Sequence, residues 1–118
     1  MSNEVTNLTD LAEFLKTLEY DHYGRLLKGF NMRETHSCIG GWARRLQGDP
    51  AIVIAEAVKK LAPTVHWEEI DKLCFRPYND NFYGWAATPQ QAARAVEILR
   101  DTGKCNWERA MKEEELTL

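Results

Sequence analysis

The chain has 118 residues, of which 44% are hydrophobic and 28% charged, with a net charge of −3. That length fits one domain with a core of its own, since folded domains usually hold about 100–150 residues. The mild acidity gives no reason to expect the positive field that non-specific nucleic-acid binding needs, and no apolar run approaches the roughly 18 residues of a membrane helix.

Leu8, Leu11, Leu15 and Leu18 share one helical face, and Asn7 or Thr9 can cap the helix they define. The spacing predicts a first helix over about 8–20, then a broken turn or short helix over about 22–29, punctuated by Gly24 and Gly29. Phe30-Asn31-Met32 reads as a loop or turn. A helix is expected to begin near Thr35 to Ser37, with Cys38, Trp42, Ala43 and Leu46 on one stripe. Gly48 supplies the left-handed residue that closes it, and Arg44 and Arg45 meet the negative dipole end in its last turn.

Asp49-Pro50 is a helix-start signal: Asp caps free N–H groups and Pro loses nothing at the first helical position. The helix it opens carries Ile54, Val58 and Leu61 and stops at Pro63. Thr64 can cap a shorter helix holding Trp67, Ile70, Leu73 and Cys74, ended by Pro77. Residues 76–87 form a loop rich in Pro, Asn, Asp and Gly. The clearest helix follows, with Thr88 as N-cap, Pro89 at the first position, Gln91 completing a capping box, and Gly103 closing it. Asn106 can cap a last helix from Trp107 to about Glu114. No strand-like alternation of useful length is present. The expected fold is all-α: a single compact domain over 1–118 of five or six short helices, with 1–7 and 114–118 frayed.

Cys38, Cys74 and Cys105 are odd in number and widely spaced, unlike a disulfide framework. Each reads as a small core hydrophobe. The polar, acid-bearing start Met1-Ser2-Asn3-Glu4 is neither a secretory signal nor a transit peptide. A cytoplasmic location is the resulting expectation.

Four features invite a chemical reading. Gly40-Gly41 inside a helical pattern costs roughly 2 kcal/mol of propensity relative to alanine. Either another helix crosses closely there, or bare N–H groups at a helix start face an anion. His36-Ser37-Cys38 suggests a metal or a nucleophile, yet no tight Cys pair exists for zinc, and residues two apart on a helix face different ways. The carboxylate clusters Glu68-Glu69 and Glu113-Glu114-Glu115 read as solvated charge.

The fourth feature is the aromatic loop, which holds Tyr78, Phe82, Tyr83 and Trp85 after Arg76. It either caps the core edge or forms a recognition surface, because Tyr and Trp give large contact area with a polar handle. Arg76 suits a phosphate or carboxylate, and Trp42 joins the patch if its helix lies beneath. The candidate contact residues are therefore Trp42, Arg44, Arg45, Arg76, Tyr78, Tyr83 and Trp85. No catalytic set, cofactor motif or metal-ligand set converges in the sequence.

The segments Cys38-Ile39-Gly40-Gly41-Trp42-Ala43, Ala87-Thr88-Pro89-Gln90-Gln91-Ala92-Ala93 and Thr102-Gly103-Lys104-Cys105-Asn106-Trp107, in that order, carry a resemblance. Phe30-Asn31-Met32 and Leu73-Cys74-Phe75-Arg76-Pro77 extend it. The chain resembles a group of small uncharacterised proteins common in bacteriophage and prophage gene sets, over about residues 30–110. It departs where that group often carries a Cys-Gly pair; His36-Ser37 stands here instead. The resemblance transfers no functional residue and implies only a setting in which small proteins often act by binding. The expected function is non-enzymatic binding that acts on a host or defence component. The alternative is sequestering of a nucleotide-type small molecule, with arginines on phosphate and aromatics on the base. Spare aromatics are compatible with a homodimer.

Overall fold

The computed structural model describes residues 5–21, 26–34, 36–49, 51–75 and 87–114. Among them are six helices and one two-stranded ladder: α1 (Leu8–Leu15), β1 (Glu19–Tyr20), β2 (Gly29–Phe30), α2 (Ile39–Gln47), α3 (Ile54–Leu61), α4 (Trp67–Phe75), α5 (Pro89–Thr102) and α6 (Trp107–Glu113). Helix α5 is buried along much of its length and packs on α1 and α6, while α2 packs on α3 and α3 on α4. The Cα radius of gyration is 12.9 Å, near the value of roughly 13–14 Å expected for one domain of this length.

The first helix is shorter than its leucine spacing predicts. Asn7 caps it by accepting the Asp10 N–H at 2.8 Å, and Leu8, Leu11 and Leu15 are buried as expected. After Leu15 the chain turns: Leu18 N–H donates to Leu15 O, and the Thr17 hydroxyl donates to Phe14 O. Leu18 thus stays buried without being helical. Glu19–Tyr20 then pairs in parallel with Gly29–Phe30, one short ladder in a fold that is otherwise helical, as expected. Phe30, expected in a loop, lies in β2 and is fully buried. Of the stretch expected as a broken turn or short helix over about 22–29, residues 22–25 lie outside the described residues, and 26–29 are not helical but turn into β2. Within the stretch expected to fray, Val5 is buried and the Thr6 N–H and hydroxyl both donate to Asp10.

Helix α2 starts one residue after Cys38, whose thiol accepts the Gly41 N–H at 3.4 Å. Gly40 is the contact with α3: a Cβ there would stand 2.7 Å from Ile54 Cβ and 3.2 Å from Ile54 O. Close helix packing therefore explains this glycine, and the buried start of α2 does not face solvent. Gly48, at φ 70°, ends the helix in the left-handed conformation that favours glycine.

The helix expected at Asp49-Pro50 begins instead at Ile54, with Val53 as an N-cap that makes no side-chain cap bond. Asp49 closes a turn: its carboxylate accepts the Ala51 N–H, and its carbonyl accepts the Ile52 N–H. The Ile52 carbonyl, which a helix starting earlier would use internally, instead accepts from the Arg44 guanidinium. For α4 the start is also displaced. His66, not Thr64, supplies the cap, its Nδ1 accepting the Glu68 N–H at 3.1 Å. Ile70, Leu73 and Cys74 are buried, but Trp67 is 49% exposed with the Lys59 ammonium 5.7 Å from its ring. The α5 capping box between Thr88 and Gln91, the Gly103 terminator and the Asn106 cap of α6 all form as their residues predict.

Candidate functional site

Of the residues singled out by sequence, Trp42, Arg44 and Arg45 are described; Arg76, Tyr78, Tyr83 and Trp85 lie outside the described residues. Trp42 is 5% exposed. Its indole N–H donates to Gly29 O at 2.9 Å, which ties α2 to β2. Phe14 of α1 packs beside it at 5.1 Å between ring centroids. The Arg45 guanidinium lies over the same indole, 3.9 Å from its centroid. Trp42 is thus a core anchor that reaches the surface through Arg45.

Two backbone contacts orient the arginines. Arg45 donates to His36 O at 3.2 Å, and Arg44 donates to Ile52 O at 3.4 Å. Both residues, with Gly48 and Asp49, line an open cavity of about 420 Å³ at the end of α2. The Asp49 carboxylate on its rim is paired with Lys60 at 3.8 Å. The cavity exists because Gly48 turns the chain and α3 starts late. Sequence reasoning placed Arg44 and Arg45 here but treated Asp49 as a helix cap. The only local hint of the turn was the β-branched run Ile52-Val53-Ile54.

No family model matches the chain, and no curated protein or solved structure matches it significantly.

The groups whose pKa is shifted share one trend. Donation from the Cys105 N–H holds the Glu69 carboxyl below its ordinary value, with Lys72 adding to it. Burial pushes Glu97 up, but its pairing with Lys16 and Arg94 outweighs burial and leaves it lowered. Arg109 and then Arg94 lower Glu113. Burial raises all three thiols, Cys105 to about 12. Every resolved shift among the described residues moves its group away from neutrality. Among those residues no group of three or more His, Cys, Asp or Glu side chains is placed to hold a metal, and no helix is long and apolar enough to cross a membrane.

Proposed function

We propose that this chain is a non-enzymatic binding protein that acts on a host or defence component, in the phage setting that the sequence resemblance implies. The observation that supports it best is the direction of the titration shifts. General acids, bases and nucleophiles work when their pKa lies near the operating pH. Here Glu69 and Glu97 are held ionised by cations or a backbone N–H group, and Cys38, Cys74 and Cys105 are held protonated by burial. Such groups stabilise a fold and present fixed charge; they do not shuttle protons.

In this reading the contact surface centres on the aromatic segment from Arg76 to Trp85, whose composition suits recognition. The test is capture of the partner by wild type, Tyr83→Ala and Trp85→Ala, each checked by far-UV circular dichroism. The reading predicts that binding is lost while helicity survives. Equal loss of helicity and binding would make the segment part of the core and overturn it.

A second reading, sequestering of a nucleotide-type small molecule, is favoured by one observation: two arginines, each held by a backbone carbonyl, line a single cavity. A ligand absorbing in the nucleobase band in the purified protein would separate it from the first.

A further inference from the structure

We propose that the cavity at the end of α2 is an oxyanion site, built by Arg44 and Arg45 to hold the phosphate group of a small phosphomonoester. The inference rests on the second reading above and narrows it.

Three observations carry it. First, Arg44 and Arg45 are successive residues and both line the same cavity of about 420 Å³. A single planar fork already satisfies a carboxylate; two forks suit a tetrahedral group with acceptors on several sides. Second, both forks are held before any ligand arrives. Arg45 is stacked on the Trp42 indole and donates to His36 O, and Arg44 donates to Ile52 O. A guanidinium has several N–H donors in one plane, and these contacts commit part of that set. Pre-ordered side chains lose less entropy on binding. Third, the carboxylate that lines the cavity, Asp49, has partners of its own in Lys60 at 3.8 Å and the Ala51 N–H, which offset part of its charge. The negative end of the α2 dipole opposes an anion here, but it amounts to about half a charge against two full positive charges.

The same geometry says what the site does not read. The Trp42 ring is covered by Arg45 on one side and lies beside Phe14. A base cannot stack on it. Recognition at this cavity is therefore of the phosphate, and Trp42 is a positioning residue that acts through Arg45.

The experiment is a titration of the full chain with inorganic phosphate and with a nucleoside monophosphate at constant ionic strength. It is followed by NMR at the arginine Nε–H groups and the Gly48 amide. The expected result is saturable shifts at Arg44, Arg45 and Gly48 with either probe, and none with the unphosphorylated nucleoside. Affinity should fall at least tenfold in Arg45→Gln and in Arg44→Gln, and stay within threefold in Arg109→Gln, which changes a distant arginine on α6. Trp42→Phe keeps an aromatic face under Arg45 and should bind within about threefold of wild type, whereas a folded Trp42→Leu should weaken binding. Absence of saturable shifts, or equal weakening in Arg109→Gln, would overturn the proposal. Capture of a protein partner through residues 76–85 would be unaffected by that failure, so the two readings fail separately.

Discussion

The Arg45 guanidinium lies 3.9 Å from the centroid of the Trp42 indole, so a core aromatic and a surface cation form one unit. Trp42 is fixed by its bond to Gly29 O and its packing on Phe14. Arg45 inherits that rigidity, and the cavity at the end of α2 inherits it in turn.

Trp42→Ala should therefore be among the most destabilising single changes. Removing a buried Trp costs about 3–5 kcal/mol. Trp42→Phe should cost less, about 1–3 kcal/mol, chiefly because the Gly29 carbonyl loses its donor. Urea unfolding checks both; a Trp42→Ala cost within 0.5 kcal/mol of zero, roughly the surface range, would contradict the packing described.

Gly40→Ala tests the α2–α3 contact. Helix propensity alone predicts a gain of about 1 kcal/mol. The new Cβ would stand 2.7 Å from Ile54 Cβ, and Ile54 O also lies within 3.2 Å. Overpacking of that kind costs about 1–3 kcal/mol, so net destabilisation is expected in thermal melts. Gly40→Ala combined with Ile54→Ala should cost less than the sum of the two single changes. A stabilised Gly40→Ala would show that the helices do not meet there.

The acid limb of stability should depend on Glu69. Its folded pKa is lowered, first by the Cys105 N–H and then by Lys72. A depressed carboxylate stabilises the fold fully above its unfolded pKa, about 4.3 for Glu, and that contribution is lost as pH falls through the folded value. Glu97 works in the same direction through Lys16 and Arg94. Stability should thus fall below about pH 4, and less steeply in Glu69→Gln. An unchanged acid limb in Glu69→Gln would remove Glu69 from this account.

The thiols should be slow. Cys38 and Cys74 are buried, and burial pushes Cys105 up to about 12. Because the thiolate is the reactive form, a thiol reagent at pH 8 should label the native chain far more slowly than the urea-unfolded chain. One fast native thiol would reopen the case for a catalytic cysteine.

How much of this was legible depended on how local each signal was. The α5 capping box needs only Thr88 and Gln91, three residues apart, and it formed as predicted. The Gly48 and Gly103 terminators are equally local. Asp49-Pro50 misled because the Ile52 carbonyl is taken by Arg44 from the neighbouring helix, a tertiary contact that outweighs a cap signal. The pairing of Glu19–Tyr20 with Gly29–Phe30 was not legible, since strands of two residues carry no period. The apolar stripe Cys38, Trp42, Ala43 and Leu46 already pointed Trp42 inward. That Arg44 and Arg45 share a cavity needed the turn at Gly48 and Asp49 to be seen.

The most direct test of binding as the function is native mass spectrometry of the full chain purified from cells of its natural source. The account predicts a stoichiometric companion, either a protein lost in Tyr83→Ala and Trp85→Ala or a small phosphorylated adduct lost in Arg45→Gln. A wild-type chain that emerges bare would contradict it.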